Sequence, residues 1–288
     1  AFSFWNKKDK MVKERFFGLS NYQGNHGEDL KEIFYYLDNT PSHSYMKMVY
    51  KYPQNAFPYD HLIEENGRRS KKEPEYELID TGIFDQNEYF DIFIEYAKIH
   101  HDDILIRVSV TNRNTEKKPL VILPTLWFRN NWSWGYNQYK PTLTTHYKGQ
   151  IDIEHESFGM KKLYSRNKEA RILFCENETN TEKLYGKKTG NQYFKDGINQ
   201  HILHGSPTIN PKNFGTKAAF EIDTEIEGGV TKIFDFRLSP HKMENAFFDF
   251  DEVFELRKKE SDHFYEEIQK DIADEDEKNV QRQAFAGL

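Results

Sequence analysis

The fold is decided by two adjacent runs, Tyr89-Phe90-Asp91-Ile92-Phe93-Ile94-Glu95-Tyr96-Ala97 and Ile104-Leu105-Ile106-Arg107-Val108-Ser109-Val110-Thr111-Asn112. Apolar side chains recur at every second position in both runs, which is the period of a β-strand with one buried face. The polar residues His100–Asp103 separate the runs, and this break is too short for a parallel crossover. The stretch therefore predicts two antiparallel strands joined by a tight turn.

The alternation continues on both sides of this pair. His43–Tyr52 has the same pattern, and Leu120–Arg129 follows a turn at Asn112–Pro119, so the four runs predict an antiparallel meander. Pro124 lies inside the last run, where a residue without an N–H predicts a bulge or an edge position.

Two later runs, Ala218–Ile226 and Lys232–Leu238, also alternate cleanly, and Glu227–Gly229 between them predicts a hairpin loop. Many short strands separated by turn signals indicate a mainly β chain that forms an antiparallel sandwich. Residues 177–216, rich in Asn, Gly and Lys, predict long loops, which in a compact domain are usually functional.

The end of the chain has a helical period instead. From Asp249 onward apolar residues recur at spacings of three and four, with Asp249 or Asp251 as the predicted N-cap and a second helix starting near Asp274. A shorter helix is predicted at Tyr59–Asn66 within an otherwise irregular stretch.

Composition excludes several classes of function. The net charge is −7 and there is no basic stripe, which argues against a nucleic-acid partner. A run of about 18 apolar residues is absent, so no membrane span is predicted. Cys175 is the single cysteine and follows an apolar run, which predicts a buried, inert thiol. With no phosphate loop and no dinucleotide fingerprint, we expect no cofactor.

A tryptophan-rich segment follows the fourth run. Trp127, Trp132 and Trp134 fall within eight residues, with Arg129 and Asn130 between them. Indole faces can stack on the C–H face of a pyranose ring while the polar side chains bond its hydroxyls, as in other sites that mix apolar walls with a few polar groups. Packing of these tryptophans in the sandwich core, or against an adjoining domain, is the alternative.

Two further polar clusters are candidates. In Asn25–Asp29, His26 and Glu28 surround a glycine and suit vicinal sugar hydroxyls, although a capped turn is the favoured explanation of the isolated motif and a metal would lack a third ligand. Asp196 and His201 predict a hydrogen-bonded pair, either at a site or simply locking a loop. Glycoside hydrolysis needs two opposed carboxyls, and 47 acidic residues give no basis for choosing a pair.

Several long motifs are spread over nearly the whole chain: Glu14–Asp29, Tyr36–Tyr45, Tyr50–Gln54, Glu75–Gly82, Leu123–Asn130, Lys195–Asn199 and Arg282–Leu288. Together they resemble glycoside hydrolase family 63, in particular a bacterial group of glucosidase-like proteins. The resemblance implies a large antiparallel super-β-sandwich (residues 1–248, with further N-terminal strands expected before Ala1) and a helical linker (residues 249–288) leading into an (α/α)6 barrel that these residues lack.

In such an enzyme the barrel carries a catalytic Asp and Glu and hydrolyses α-glucosidic or related bonds with inversion. No residue of this chain matches that pair, so the resemblance predicts no catalytic residue here. It implies a supporting role at the substrate rim, with the barrel and an oligosaccharide as partners and the bacterial cytoplasm as location. A free-standing carbohydrate-binding module and a structural interaction domain are the alternatives.

Overall fold

The computed structural model describes residues 1–15, 32–136, 138–188 and 190–288. The described strands are β1 (Phe2–Trp5), β2 (Lys13–Arg15), β3 (Ile33–Asn39), β4 (Tyr45–Pro53), β5 (Tyr89–His100), β6 (Asp103–Asn112), β7 (Lys118–Trp127), β8 (Thr142–Thr144), β9 (Gln150–His155), β10 (Gly159–Ser165), β11 (Arg171–Cys175), β12 (Phe214–Gly215), β13 (Lys217–Ile226) and β14 (Thr231–Ser239). The described helices are α1 (Tyr59–Arg68), α2 (Thr181–Tyr185), α3 (Gly197–His204), α4 (Phe250–Ile268) and α5 (Glu275–Ala286).

The strands form two antiparallel sheets. One has five strands in the order β11-β13-β7-β1-β2, and the other has nine in the order β12-β8-β9-β10-β14-β6-β5-β4-β3. The prediction of a mainly β, antiparallel sandwich is therefore confirmed. Strand β1 at the start of the chain pairs with β7, and its Phe2 and Phe4 side chains are buried.

The main core lies between the two sheets, where each strand contributes its inward apolar side chains. The rings of Phe220 on β13 and Phe236 on β14 face each other across the interface at 6.1 Å. Both side chains are almost completely buried, and aromatic residues bury large areas each. A second apolar cluster on the outer face of the five-stranded sheet joins Leu173 and Ala219 to Ile198 of α3.

The predicted meander is only partly correct. Strands β4, β5 and β6 are consecutive antiparallel neighbours, as predicted, but β7 leaves for the other sheet and pairs with β1 and β13. The predicted hairpin at Glu227–Gly229 is wrong for the same reason, since β13 and β14 belong to different sheets. Each connection is an arch that carries the chain from one sheet to the other.

The two arches pack against each other. The amide N–H of Gly229 donates to the carbonyl oxygens of Asn112 (3.0 Å) and Asn114 (3.1 Å). A Cβ added at Gly228 would lie 2.1 Å from the carbonyl oxygen of Thr115, so only glycine fits there. The Gly228-Gly229 pair thus serves close contact between arches and not a hairpin turn.

Pro124 does not lie at an edge, because β7 has a neighbour on each side. The pairing with β13 instead has a gap: it runs as far as Ala219↔Thr125 and resumes at Ile222↔Ile122. Proline has no N–H to donate, and the interruption of the ladder accommodates it.

Helix α3 packs on the five-stranded sheet, and helices α4 and α5 pack on the nine-stranded sheet. The predicted helices near Tyr59, Asp249 and Asp274 are confirmed as α1, α4 and α5. The Asp274 side chain accepts hydrogen bonds from the N–H groups of Asp276 and Glu277, as an N-cap should. Asp249 precedes α4, but its carboxylate accepts from Arg237 instead of capping the helix.

The 177–216 stretch, predicted as long loops, is not all loop, because α2 and α3 form within it. These helices are capped by the Asn180 side chain and by glycines in the left-handed conformation.

Cys175 is fully buried, and burial raises the pKa of its thiol to about 12, as predicted for an inert group. Within the described ranges, none of the helices is long and apolar enough to cross a membrane.

Candidate functional site

One end of the five-stranded sheet collects the two segments that the sequence singled out. Lys217, the first residue of β13, pairs with Trp127 at the end of β7 and with Cys175 at the end of β11. Two segments therefore leave the sheet side by side. They are the Trp loop (residues 128–141) and the long loop (residues 176–213). Asn177 ties them together, since its side-chain amide donates to the carbonyl oxygen of Phe128 at 2.7 Å.

The three tryptophans lie at the surface and not in the core. Trp127 is 36% exposed and Trp134 63% exposed, while Trp132 is half-buried. Trp134 stands beside the exposed ring of Tyr136 in an edge-to-face arrangement at 6.2 Å. The core-packing alternative is thereby wrong, and an aromatic surface remains at this end of the sandwich.

The two polar candidates in the Trp loop have different surroundings. Asn130 organises the loop itself: its Oδ1 accepts from the N–H of Ser133 and its Nδ2 donates to the hydroxyl of the same residue. Arg129 is exposed and forms no ion pair within the described part of the chain. Arg129 is thus available to a ligand, whereas Asn130 is committed to the turn.

A polar network, the Glu178 network, anchors Trp132 to the long loop. The indole Nε1–H of Trp132 donates to Glu178 Oε1 at 2.7 Å, and Lys140 Nζ lies 3.0 Å from the same oxygen. Asn191 donates to the other oxygen at 3.2 Å, and Lys140 also contacts Glu176 at 3.1 Å. Charge-assisted bonds of this kind are short and hold their partners in one geometry.

The network fixes the ionisation of its members. Burial alone would raise the pKa of Glu178, but the hydrogen bonds from Trp132, Lys140 and Asn191 outweigh it and hold that pKa below its ordinary value of 4.5. Burial likewise disfavours the charged form of Lys140, but its hydrogen bonds to Glu178 and Glu176 raise its pKa. Both shifts favour the charged forms, so the ammonium group of Lys140 faces the Glu178 carboxylate at neutral pH.

The Asp196 cleft lies on the other side of the long loop, with a volume of about 360 Å³. Asp196 precedes α3 without capping it, and its two oxygens accept from Asn180 Nδ2 at 3.3 and 3.4 Å. Lys183 Nζ lies 3.4 Å from the same carboxylate. The remaining walls come from two amide side chains, a hydroxyl, a buried ring, a second acidic residue and a glycine: Gln192, Gln200, Thr208, Phe194, Glu182 and Gly197.

The predicted pair of Asp196 and His201 does not form. His201 Nδ1 lies 3.0 Å from the carbonyl oxygen of Ser206, and its Nε2 lies 3.2 Å from the guanidinium of Arg171. A carbonyl only accepts, so Nδ1 carries the proton and Nε2 accepts from the arginine. The imidazole therefore closes the loop after α3, while Asp196 stays available to the cleft.

The structure brings together five of the eight predicted site residues in the Trp loop or at its base, and places Asp196 on the neighbouring loop. His26 and Glu28 lie outside the described residues. Sequence analysis missed Lys140 and Asn191, which lie in ordinary polar stretches far from their partners. Glu176 and Glu178 carried a weak signal, because they follow directly on the end of a strand.

The arrangement suits binding better than acid–base catalysis. A general acid needs a carboxyl with a raised pKa, and the pKa of Glu178 is lowered. Burial raises the pKa of Asp9, but the same burial removes that carboxyl from any substrate. Exposed indoles beside amides and carboxylates are instead groups that recognise a polyhydroxy ligand.

Sequence comparison finds one long match. No protein-family model matches the chain. The uncharacterized protein YMR196W of Saccharomyces cerevisiae is 35% identical over 336 aligned positions, which cover 99% of this chain and 31% of the yeast protein. The chain thus spans about a third of the length of this curated relative.

Comparison of structures finds weak likenesses. The "Putative kojibiose phosphorylase from human microbiome" aligns with 69% of this chain and 21% of its own, at 8% identity and a TM-score of 0.27. A polysaccharide lyase aligns with 86% of this chain and 33% of its own, at 9% identity and a TM-score of 0.35. Both TM-scores are too low to support an inference about this chain.

Proposed function

We propose that the chain is the non-catalytic sandwich domain of a glycoside hydrolase that acts on α-glucosidic or related oligosaccharide bonds. The catalytic carboxylates would lie in an (α/α)6 barrel of the same protein, and cleavage would proceed with inversion. The observation that carries the proposal is the Trp loop, which exposes Trp127, Trp134 and Tyr136 beside the Glu178 network. The motifs shared with glycoside hydrolase family 63 and the greater length of the yeast relative support it.

The Trp loop would form part of the substrate rim. Trp134 would stack on a sugar ring, Arg129 would bond its hydroxyls, and the Glu178 network would keep Trp132 and the loop in one conformation. A loop held in its binding geometry loses little entropy when the ligand arrives, which favours affinity.

The proposal includes a cytoplasmic location, as expected from the buried Cys175 and the family resemblance.

The test compares the 288-residue chain with the full-length protein on maltose-type and glucosylglycerate substrates. We expect glucose release by the full-length protein and none by the chain alone. In the full-length protein, Trp134→Ala should raise KM about tenfold with little change in kcat. The stacking contact is expected to stabilise the bound substrate and the transition state equally, so its loss weakens substrate binding and leaves the rate of the bound substrate unchanged.

Phe248→Ala is the matched control, since Phe248 is 69% exposed but lies just before α4, outside both loops. It should leave KM unchanged. Hydrolysis by the chain alone would overturn the non-catalytic assignment. Equal KM values for Trp134→Ala and the parent protein would overturn the rim assignment.

A further inference from the structure

A second surface of the sandwich has the features of a ligand site. Helix α4 covers the outer face of the nine-stranded sheet around β4, β5 and β6, where Phe250 and Phe254 pack on Leu105. On β8, β9 and β10 most outward side chains are polar, and they form two rows across the strands. The register aligns Thr144 and Lys162 with Asp152 in one row, and Thr142 and the exposed Met160 with Glu154 in the next.

Two depressions of about 390 and 300 Å³ cross this face and adjoin at Tyr147 and Lys242, which line both. We call the pair the sheet-face groove. Its volume is in the range of small-ligand sites, which is about 300–1,000 Å³. Tyr147 precedes β9, whereas the far end of β9 carries His155, whose ring contacts Phe128 at the base of the Trp loop.

Both walls of the groove are held rigidly by hydrogen bonds. On one side, the carbonyl oxygen of Tyr147 accepts from the N–H of Gln150 (3.3 Å) and from the Thr145 hydroxyl (3.1 Å). On the other side, the Tyr164 hydroxyl donates to the carbonyl oxygen of His241 and accepts from the N–H of Met243, both at 3.0 Å. Lys242 lies between these two anchors, so the groove is formed before any ligand binds.

The backbone of the Tyr147 turn is also tightly packed. Gly149 adopts a φ of +70°, and a Cβ there would lie 3.1 Å from the carbonyl oxygen of Ser165. The ring of Tyr147 nevertheless remains 57% exposed. Lys242 Nζ lies 5.5 Å from the centre of this ring. An exposed ring on a hydrogen-bonded turn offers a flat apolar platform at little entropic cost.

Positive and negative side chains are mixed along the groove, so it favours neither an anionic nor a cationic ligand. Asp152 is neutralised by Lys162 at 2.5 Å and accepts a further bond from Gln150, so it offers no free charge. The hydroxyls of Thr142 and Thr144 and the carboxylate of Glu154 form no hydrogen bond with the described residues. Free hydrogen-bonding groups beside an aromatic platform match the alternating C–H and hydroxyl faces of a pyranose.

We propose that the sheet-face groove binds a neutral pyranoside chain, with Tyr147 stacking on one sugar ring. Thr142, Thr144, Glu154 and Lys242 would bond the hydroxyls of that sugar and its neighbour. This site goes beyond the proposed role of the Trp loop at a substrate rim. It would hold a polysaccharide on the side of the domain, independently of hydrolysis.

The test is affinity electrophoresis of the full chain in native gels that contain glycogen, galactomannan or hydroxyethyl cellulose. We expect retardation by at least one polymer, and Tyr147→Ala should weaken it roughly tenfold, the effect of losing one well-placed aromatic contact. Tyr147→Phe keeps the ring and should bind as the parent does. Tyr35→Ala, on the far edge strand β3 with an exposure of 50%, is the matched control.

The two proposed sites fail independently in this assay. Loss of retardation in Tyr147→Ala but not in Trp134→Ala supports the groove. Loss in Trp134→Ala alone, or no retardation of the parent chain in any gel, overturns the groove proposal. The rim assignment is tested separately, by the KM of the full-length protein. Unchanged near-UV circular dichroism would show that the variants are folded.

Discussion

At the scale of single residues, Glu178 joins the two loops of the candidate site. Its oxygens accept from the indole of Trp132, the ammonium of Lys140 and the amide of Asn191, groups that lie 46, 38 and 13 residues away in the chain. No local sequence pattern predicts such a convergence. Because the carboxylate is mostly buried and fully bonded, its charge contributes to holding the Trp loop in place.

We expect Glu178→Gln to lower the free energy of unfolding at pH 7 by about 1 kcal/mol, since a neutral amide forms weaker bonds to Lys140 and Trp132. The pKa of Glu178 is lowered in the folded chain, so its stabilisation is present above the unfolded value and is lost as the pH falls through the folded value. The difference between variant and parent should therefore shrink at acidic pH. Urea denaturation between pH 3 and 7 measures it.

Glu182→Gln is the matched control for this prediction, because Glu182 is exposed on α2 and forms no ion pair with the described residues. It should change stability little at any pH. A difference between Glu178→Gln and the parent chain that persists undiminished at the lowest pH would show that the charge is irrelevant to the loop.

At the scale of elements, the two arches between the sheets depend on Asn112. Its side chain is fully buried, donates to the carbonyl oxygens of Glu116 and Ile226 at 2.8 Å each, and accepts from Gln54 at 2.7 Å. One residue thus connects the arch after β6 with the end of β13, 114 positions later. The sheet-to-sheet crossing is held by these bonds and by the close contact at Gly228.

We expect Asn112→Ala to lower the free energy of unfolding by about 2–4 kcal/mol, because the truncation leaves several buried polar groups without partners. Asn245→Ala removes one hydrogen bond from an exposed loop and should cost well under about 1 kcal/mol. Chemical denaturation of the two variants provides the comparison. Equal losses would mean that the arches are held by apolar packing alone.

The arches also mark the limit of what the sequence predicts. The β5–β6 pair was predictable because alternation and a short polar break are local signals. The change of sheet at β7 and β14 was not, since Gly228-Gly229 is equally typical of a hairpin, and the partners of Asn112 are remote. In the candidate site, the tryptophans were found by their local excess, but Lys140 and Asn191 acquire their role only through the folded loops.

At the scale of the whole molecule, the C-terminal helices are packed into the sandwich. Phe250 and Phe254 of α4 are buried against Tyr45 and Leu105. The buried guanidinium of Arg237 donates to both oxygens of Asp103 at 2.8 Å and to Asp249 at 2.7 Å, which fastens the start of α4 to the sheet. Helix α5 is fastened in turn, since Arg282 pairs with Asp38 next to Ser261 of α4.

This packing bears on the domain boundary predicted between residues 248 and 249. A chain that ends at Phe248 would expose Tyr45 and Leu105 to water and leave Arg237 with one carboxylate partner. Loss of buried apolar contacts and loss of a buried ion-pair partner are each strongly destabilising. We expect it to aggregate and to bind a hydrophobic dye, as judged by gel filtration and fluorescence. A chain that ends at Asp274 keeps α4 and should remain folded, with reduced stability and without aggregation. If the chain ending at Phe248 were monomeric with an unchanged denaturation midpoint, α4 would be a linker and not part of the sandwich.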